Sequence, residues 1–380
     1  MRPTHGTGIE RNKNADPRRQ SVTNSFQGRL LLRPLFLNCF YSCNCHSMLP
    51  SRGAKSRRIM VIIRSRGIRG KRRATRLWYH RGVIMAHTLI SPDLSIAEAG
   101  RLIMADELTT ILAFLPELRS SADGLAVHET RKAIRRTFTL FKLFTPYFAP
   151  GILEQHRPGL RKIMRRLAPC RDTAVFRLKL ADYNQKIDQP LNELAAWWDE
   201  RQSVMDGRLM DYLGRKQVTR VIDRYSSLVR TTGAGLPRKK TGAPMLVRFA
   251  LPGMVMQHLG AVRAWGAIMP DATPSQFHQL RIQFKELRYT LTFFEDILSD
   301  GAGEMFDLSR RMQDLLGDLN DANVADEILE QMKCCRAEAA TYRQFQRSEL
   351  ARLMDEFRPL YTAFDRPEVR RDLAVTLANL

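Results

Sequence analysis

Val127-His128-Glu129-Thr130-Arg131-Lys132-Ala133-Ile134-Arg135-Arg136 and Phe277-His278-Gln279-Leu280-Arg281-Ile282-Gln283-Phe284-Lys285-Glu286 are two versions of one pattern, 150 positions apart. Each has a histidine, an arginine three residues later and a base seven later. At about 100° per residue, positions zero, three and seven of an α-helix fall within about 60° of arc. His128, Arg131 and Arg135 therefore share one face, and His278, Arg281 and Lys285 share another. Lys132 and Lys142 sit beside the first stripe, and Arg288 extends the second. The apolar partners Val127, Ile134, Phe138 and Phe141, and Phe277, Phe284, Leu287 and Leu291, lie about a quarter turn or more away, so each basic stripe borders a core instead of opposing it.

Like charges one turn apart cost an isolated helix about 0.2–0.5 kcal/mol per pair. A pattern that stacks them twice at matching places calls for something negative nearby. The three groups of a stripe span about 10 Å of helix, a reach suited to several phosphates of a linear chain. Arginine offers phosphate a planar fork, lysine a mobile point charge, and imidazole a donor once protonated. The competing reading is that Asp or Glu from neighbouring helices neutralises the stripes internally.

A second pair of segments keeps almost the same register. Leu160 to Val175 contains Leu167-Ala168-Pro169-Cys170-Arg171-Asp172, and Leu308 to Val324 contains Leu316-Gly317-Asp318-Leu319-Asn320-Asp321, so that Asp172 and Asp321 stand 149 apart. Each aspartate reads as a helix N-cap after a short break. Arg161, Arg165 and Arg171 bring further positive charge to the first copy.

Around these motifs nearly everything from Leu94 onward has the three- and four-residue apolar spacing of helix, with little strand-like alternation. The spacing predicts helices over about 95–118, 125–147, 152–168, 171–186, 190–213 and 215–230, then 245–268, 275–299, 303–317, 321–357 and 367–379. Gly233, Gly235, Pro237, Gly242 and Pro244 interrupt the pattern. The expected organisation is thus all-α, with a first helical half over 90–232, a linker over 233–244 and a second half over 245–380. Trp197, Trp198, Phe138, Phe141, Phe144, Phe293 and Phe294 fall at core spacing.

The formal charge of +22 is unevenly distributed. Residues 1–84 hold 19 Lys and Arg against Glu10 and Asp16, whereas the remaining 296 residues hold 42 bases against 37 acids. Residues 1–85, rich in Arg, Ser, Gly and Asn without sustained periodicity, read as a disordered basic tail. A translation start at Met85 is an equal reading of that segment. Cys39, Cys43, Cys45, Cys170, Cys334 and Cys335 suggest no disulfide framework, and Cys39, Cys43, Cys45 and His46 match no familiar zinc spacing. No stretch approaches the ~18 uninterrupted apolar residues of a membrane span. A cytoplasmic protein without cofactor or metal is expected.

Both repeats resemble those of the CHAD family, the conserved histidine α-helical domain. The resemblance covers about residues 95–360 and is carried by His128 with Arg131, Arg135 and Arg136; His278 with Arg281, Lys285, Arg288 and Tyr289; Leu167 to Asp172; and Leu316 to Asp321. It implies two four-helix-bundle-like halves related by a pseudo-twofold internal duplication, with basic helices facing a central positive cleft, and it implies binding of inorganic polyphosphate, in some settings at polyphosphate granules. The polyphosphate-binding residues carried over are His128, Arg131, Arg135, Arg136, His278, Arg281, Lys285 and Arg288, joined by Lys132 and Arg165. The first copy departs from the family pattern at Phe138, where a base is common, and at Pro169-Cys170, where a glycine-containing turn is usual.

Two other functional classes compete with passive capture. A phosphohydrolase or phosphotransferase would use His128 or His278 as phosphoacceptor or metal ligand, but phosphoryl chemistry usually gathers carboxylates and magnesium, and neither stripe carries an acid cluster. Nonspecific nucleic-acid binding would rest on the basic tail, without an aromatic stacking platform to help it.

Overall fold

The computed structural model describes residues 59–66, 72–80, 83–88, 90–236, 244–266, 272–298 and 300–380. Three antiparallel strands come first, β1 (Ile59–Arg66), β2 (Arg72–His80) and β3 (Val83–Thr88), paired in the order β1-β2-β3. These strands fall in the segment expected to be a basic tail over 1–85, of which residues 1–58 lie outside the described residues. The β-branched content of stretches such as Ile59-Met60-Val61-Ile62-Ile63 suits pleated backbone. The cysteines at 39, 43 and 45 and His46 lie outside the described residues.

From Ile96 the chain is helical. Two long antiparallel pairs come first: α1 (Ile96–Ser120) with α2 (Gly124–Phe144), and α3 (Arg157–Asn184) with α4 (Asn192–Leu213). A single helix, α5 (Lys216–Arg230), packs on α1 and α3. Beyond residues 237–243, which are outside the described residues, come α6 (Val247–Arg263) with α7 (Pro274–Phe293), a one-turn α8 (Glu295–Leu298), then α9 (Gly303–Gln331) with α10 (Arg336–Phe364), and finally α11 (Pro367–Ala378) against α6 and α9. The starts of α1 and α6 are tied by backbone bonds, Ile96 N–H to the Met245 carbonyl at 2.8 Å and Val247 N–H to the Leu94 carbonyl at 2.9 Å.

Two expected breaks are absent. Helices expected over 152–168 and 171–186 are one helix, α3, with Pro169 inside it. Its buried stripe of Leu160, Ile163, Leu167, Cys170, Thr173 and Phe176 runs through the proline at unbroken three- and four-residue spacing. Proline removes one intrahelical bond, and packing on both sides of it outweighs that loss. In the same way α9 continues from Gly303 through Gly317 to Gln331, and the real break falls at Met332–Cys335, not near 317–321. Asp172 and Asp321 are therefore mid-helix residues and not caps.

The main core runs through both sets of helices and includes Phe141, Phe144, Tyr225, Leu280, Phe284, Phe294 and Phe364. Each large apolar side chain removed from water contributes about 1.5–3 kcal/mol. A second, smaller core joins the far ends of α3, α4, α9 and α10 through Phe176, Leu180, Trp198, Leu329 and Tyr342. There the Phe176 ring stacks on Trp198 with centroids 4.0 Å apart.

Candidate functional site

The two basic helices hold their first turns with side-chain caps. Asp123 accepts from the N–H groups of Leu125 and Ala126, and Thr273 forms a reciprocal capping box with Gln276. α2 buries Val127, Ala133, Ile134, Leu140 and Phe141, and α7 buries Leu280, Phe284, Leu287 and Leu291. These apolar faces set the rotation of each helix, and with it the direction of the basic stripes.

The stripes approach each other. Lys142 Nζ donates to both carboxylate oxygens of Glu286 on α7, at 2.9 and 2.8 Å. The Arg136 guanidinium lies 4.8 Å from the Phe293 ring centroid and 5.9 Å from that of Tyr289. Between these anchors, burial first and then mutual repulsion lower the pKa values of Arg131, Arg281 and Lys285. Arg135 acts on all three, and Arg281 acts on Arg131 and Lys285. Groups on α2 and α7 therefore feel one another through partly dehydrated space, and the arginines stay charged at any physiological pH.

Two further helices close on this cluster. From α3, Asp172 Oδ1 lies 3.2 Å from Arg131 Nη2. Arg171 also joins, its pKa lowered first by burial and lowered again by Arg135, against the attraction of Asp321 and Asp172. On α9, Asn320 Oδ1 meets His278 Nδ1 at 2.8 Å, and Gln313 Oε1 accepts from Arg288 Nε at 2.6 Å. Lys179 of α3 bridges to α9, reaching Asp318 Oδ1 at 3.0 Å and Asp321 Oδ2 at 3.7 Å.

The expected site residues thus fall into three groups. Arg131, Arg135, Arg281 and Lys285 act on one another in one basic cluster, flanked on α7 by His278 and Arg288, which bond to Asn320 and Gln313 of α9. Within it Arg135, Arg171, Arg281 and Lys285 make no ion pair among the described residues, and the buried Arg131 Nε finds no acceptor there. His128 borders the cluster half-buried, with Glu129 Oε1 4.0 Å from its Nε2. Burial first, then Arg171, pull its imidazole down to about 4 despite the opposing charge of Glu129. It is therefore neutral at pH 7.

Lys132 and Arg136 form the second group, and here internal neutralisation is what the structure has. Lys132 pairs with the buried Glu129, and Arg136 Nε lies 2.6 Å from Glu107 Oε1 on α1. Arg136, held between that carboxylate and two aromatic rings, ties α1, α2 and α7 together. Arg165 stands alone in the third group, exposed on the first half of α3 beside Arg161 and Lys162.

Asp172, Asp321, Lys179, Gln313 and Asn320 were missed as members of this region. The signal that finds them is the helical period continued through Pro169 and Gly317, which carries 172 and 321 onto the faces beside the basic stripes. Among the described residues no group of three or more His, Cys, Asp or Glu is placed to hold a metal ion, and no helix is long and apolar enough to cross a membrane. A groove of about 490 Å³ lined by Phe249, Pro252, Met256 and Leu377 lies between α6 and α11 and includes none of the expected site residues.

Solved structures with a similar fold include two that are covered almost in full. The CHAD domain from the plant Ricinus communis is 20% identical, with 78% of this chain and 96% of that one covered at a TM-score of 0.57. PptA from Streptomyces chartreusis is 14% identical, with 71% and 100% covered at a TM-score of 0.55. None of the curated proteins matches the chain. The CHAD domain family profile matches residues 102–330, which takes in both basic helices, the helices that carry Asp172 and Asp321, and more than half of the sequence, so the chain belongs to the CHAD domain family.

Proposed function

We propose that the protein binds inorganic polyphosphate in a basic cleft between α2, α3, α7 and α9, without cleaving it. The observation that carries this reading is the convergence of Arg135, Arg171, Arg281 and Lys285 from three helices with no ion pair among the described residues. Holding four such cations together costs free energy that a polyanion relieves, and each charge-assisted contact returns about 1.5–3 kcal/mol before ordering costs. A linear chain of phosphates matches stripes that extend along two helix axes better than a single small anion does. Membership of the CHAD family supports the same ligand class. The reading carries with it a cytoplasmic location, alongside polyphosphate granules where these form.

Phosphate oxygens would compete for Arg131 with the Asp172 carboxylate, which reaches it at 3.2 Å. The decisive variant is Arg131→Glu with Arg281→Glu, which places two acids among the remaining bases. Affinity for long-chain polyphosphate measured by calorimetry is expected to fall at least a hundredfold, with the circular dichroism of the helices retained. A double variant that folds and binds as tightly as wild type would refute the cleft as the site. Phosphate release measured with and without magnesium is expected to stay at background. In competition with single-stranded DNA, polyphosphate is expected to win, since among the described residues the cluster has no exposed aromatic platform for stacked bases.

A further inference from the structure

One basic patch stands outside the cluster. Arg161, Lys162 and Arg165, all exposed on the first turns of α3, line a hollow of about 220 Å³ together with Glu154, Arg157 and Pro158. Glu154 is already taken, accepting from Arg157 Nε at 2.7 Å and Nη2 at 3.0 Å. Among the described residues Arg161, Lys162 and Arg165 make no ion pair within hydrogen-bonding reach, so the hollow is left with three uncompensated cations.

Its position relative to the cleft follows from helix geometry. At about 100° per residue, positions 161, 165 and 172 of one helix lie within about 40° of arc. Arg161 and Arg165 therefore share the α3 face that presents Asp172 to Arg131. The rise of about 1.5 Å per residue puts Arg161 about 16 Å from Asp172 along the axis. A second connection bridges the gap in the α2 stripe. Phe138, between Arg135 and Lys142, is the apolar interruption, and the Arg157 guanidinium lies over its ring at 5.5 Å and over Phe141 at 5.7 Å. Arg157, paired with Glu154, thus spans the distance between the Phe138 position of α2 and the edge of the hollow.

We propose that the α3 hollow is a second anion subsite, which takes the segment of phosphate chain leaving the cleft past Phe138 and so makes the protein select long chains over short ones. This rests on the cleft reading above and deepens it. A short chain fills the cleft alone. A long one engages cleft and hollow together, and the second contact, being intramolecular, multiplies affinity without any change in the first.

The test compares tripolyphosphate with long-chain polyphosphate on the full chain, for wild type, for Arg161→Glu/Lys162→Glu/Arg165→Glu and for its neutral counterpart Arg161→Gln/Lys162→Gln/Arg165→Gln, which guards against misfolding caused by charge reversal. Both triple variants are expected to bind long chains at least tenfold more weakly and tripolyphosphate within about twofold of wild type. The slope of log affinity against log salt for long chains is expected to shrink by about two, the loss of roughly three phosphate contacts by the counterion argument. The inference is overturned if long-chain affinity survives the triple substitution, if both ligands weaken in equal proportion, or if wild type shows no length preference. Loss of both ligands in wild type itself would instead remove the cleft reading and this one with it, an outcome the Arg131→Glu/Arg281→Glu comparison makes distinguishable.

Discussion

His128 shows how a residue's type and its setting can point in different directions. Its spacing from Arg131 and Arg135 makes it a member of a basic stripe, yet in place it is neutral at pH 7, since burial and Arg171 hold its imidazole down to about 4. A bound phosphate supplies the negative charge that the free protein provides only through Glu129, and so raises that value. The sign follows from linkage: when the bound state holds the proton more tightly than the free state, affinity rises as pH falls through the bound-state value, and stops rising below about 4. His128→Gln is expected to lose that part of the pH dependence while keeping most of the affinity at pH 7.5. Calorimetric titrations from pH 7.5 down to 4.5 on both proteins check this, and superimposable profiles would show that His128 takes up no proton on binding.

At the scale of the element, the basic helices are locally unfavourable structures that tertiary context makes acceptable. Stacked bases oppose the helix, while Asp123 and Thr273 cap it, a device that α3, α4, α5, α6, α9, α10 and α11 do without. Asp123→Ala and Thr273→Ala are each expected to lower unfolding free energy by about 1 kcal/mol, read from denaturant midpoints, with Thr273→Ala also weakening polyphosphate binding by loosening the turn before His278. An unchanged midpoint in both would mean that packing alone fixes these helix starts. The stripes were legible from sequence because their period is a property of one helix. The roles of Lys132 and Arg136 were half hidden: Glu129 is three residues from Lys132, but Glu107 reaches Arg136 from α1, and no spacing rule within α2 announces it. Asp172 and Asp321 were misplaced for the opposite reason, a local rule applied too readily. Pro169 and Gly317 are break signals, and the apolar stripes that run through them carry more weight than either residue.

For the whole molecule, the two cores and the cleft residues form one mechanical problem. Core packing across α1, α2, α6 and α7 brings the stripes together, and the smaller core around Phe176, Trp198 and Tyr342 joins α3 to α9, so the cations cannot relax by moving apart without breaking apolar contacts. Lys179 with Asp318 and Asp321 adds a charged strut across the same span. Such a protein stores repulsion in its folded state that the unfolded chain does not feel. Two consequences have definite signs. Raising salt without ligand screens the repulsion, so the melting temperature of the free protein is expected to rise modestly with ionic strength, whereas a fold held by surface ion pairs would weaken. Adding polyphosphate at low salt is expected to raise it more, since a ligand that binds only the folded state at a hundred times its Kd adds about 2.7 kcal/mol. The two effects must also oppose each other, because salt weakens the polyanion's grip while relieving the same repulsion. Thermal melts across a salt series, with and without polyphosphate, should therefore converge at high salt, and curves that stay parallel would mean that the ligand stabilises the fold through contacts other than these cations.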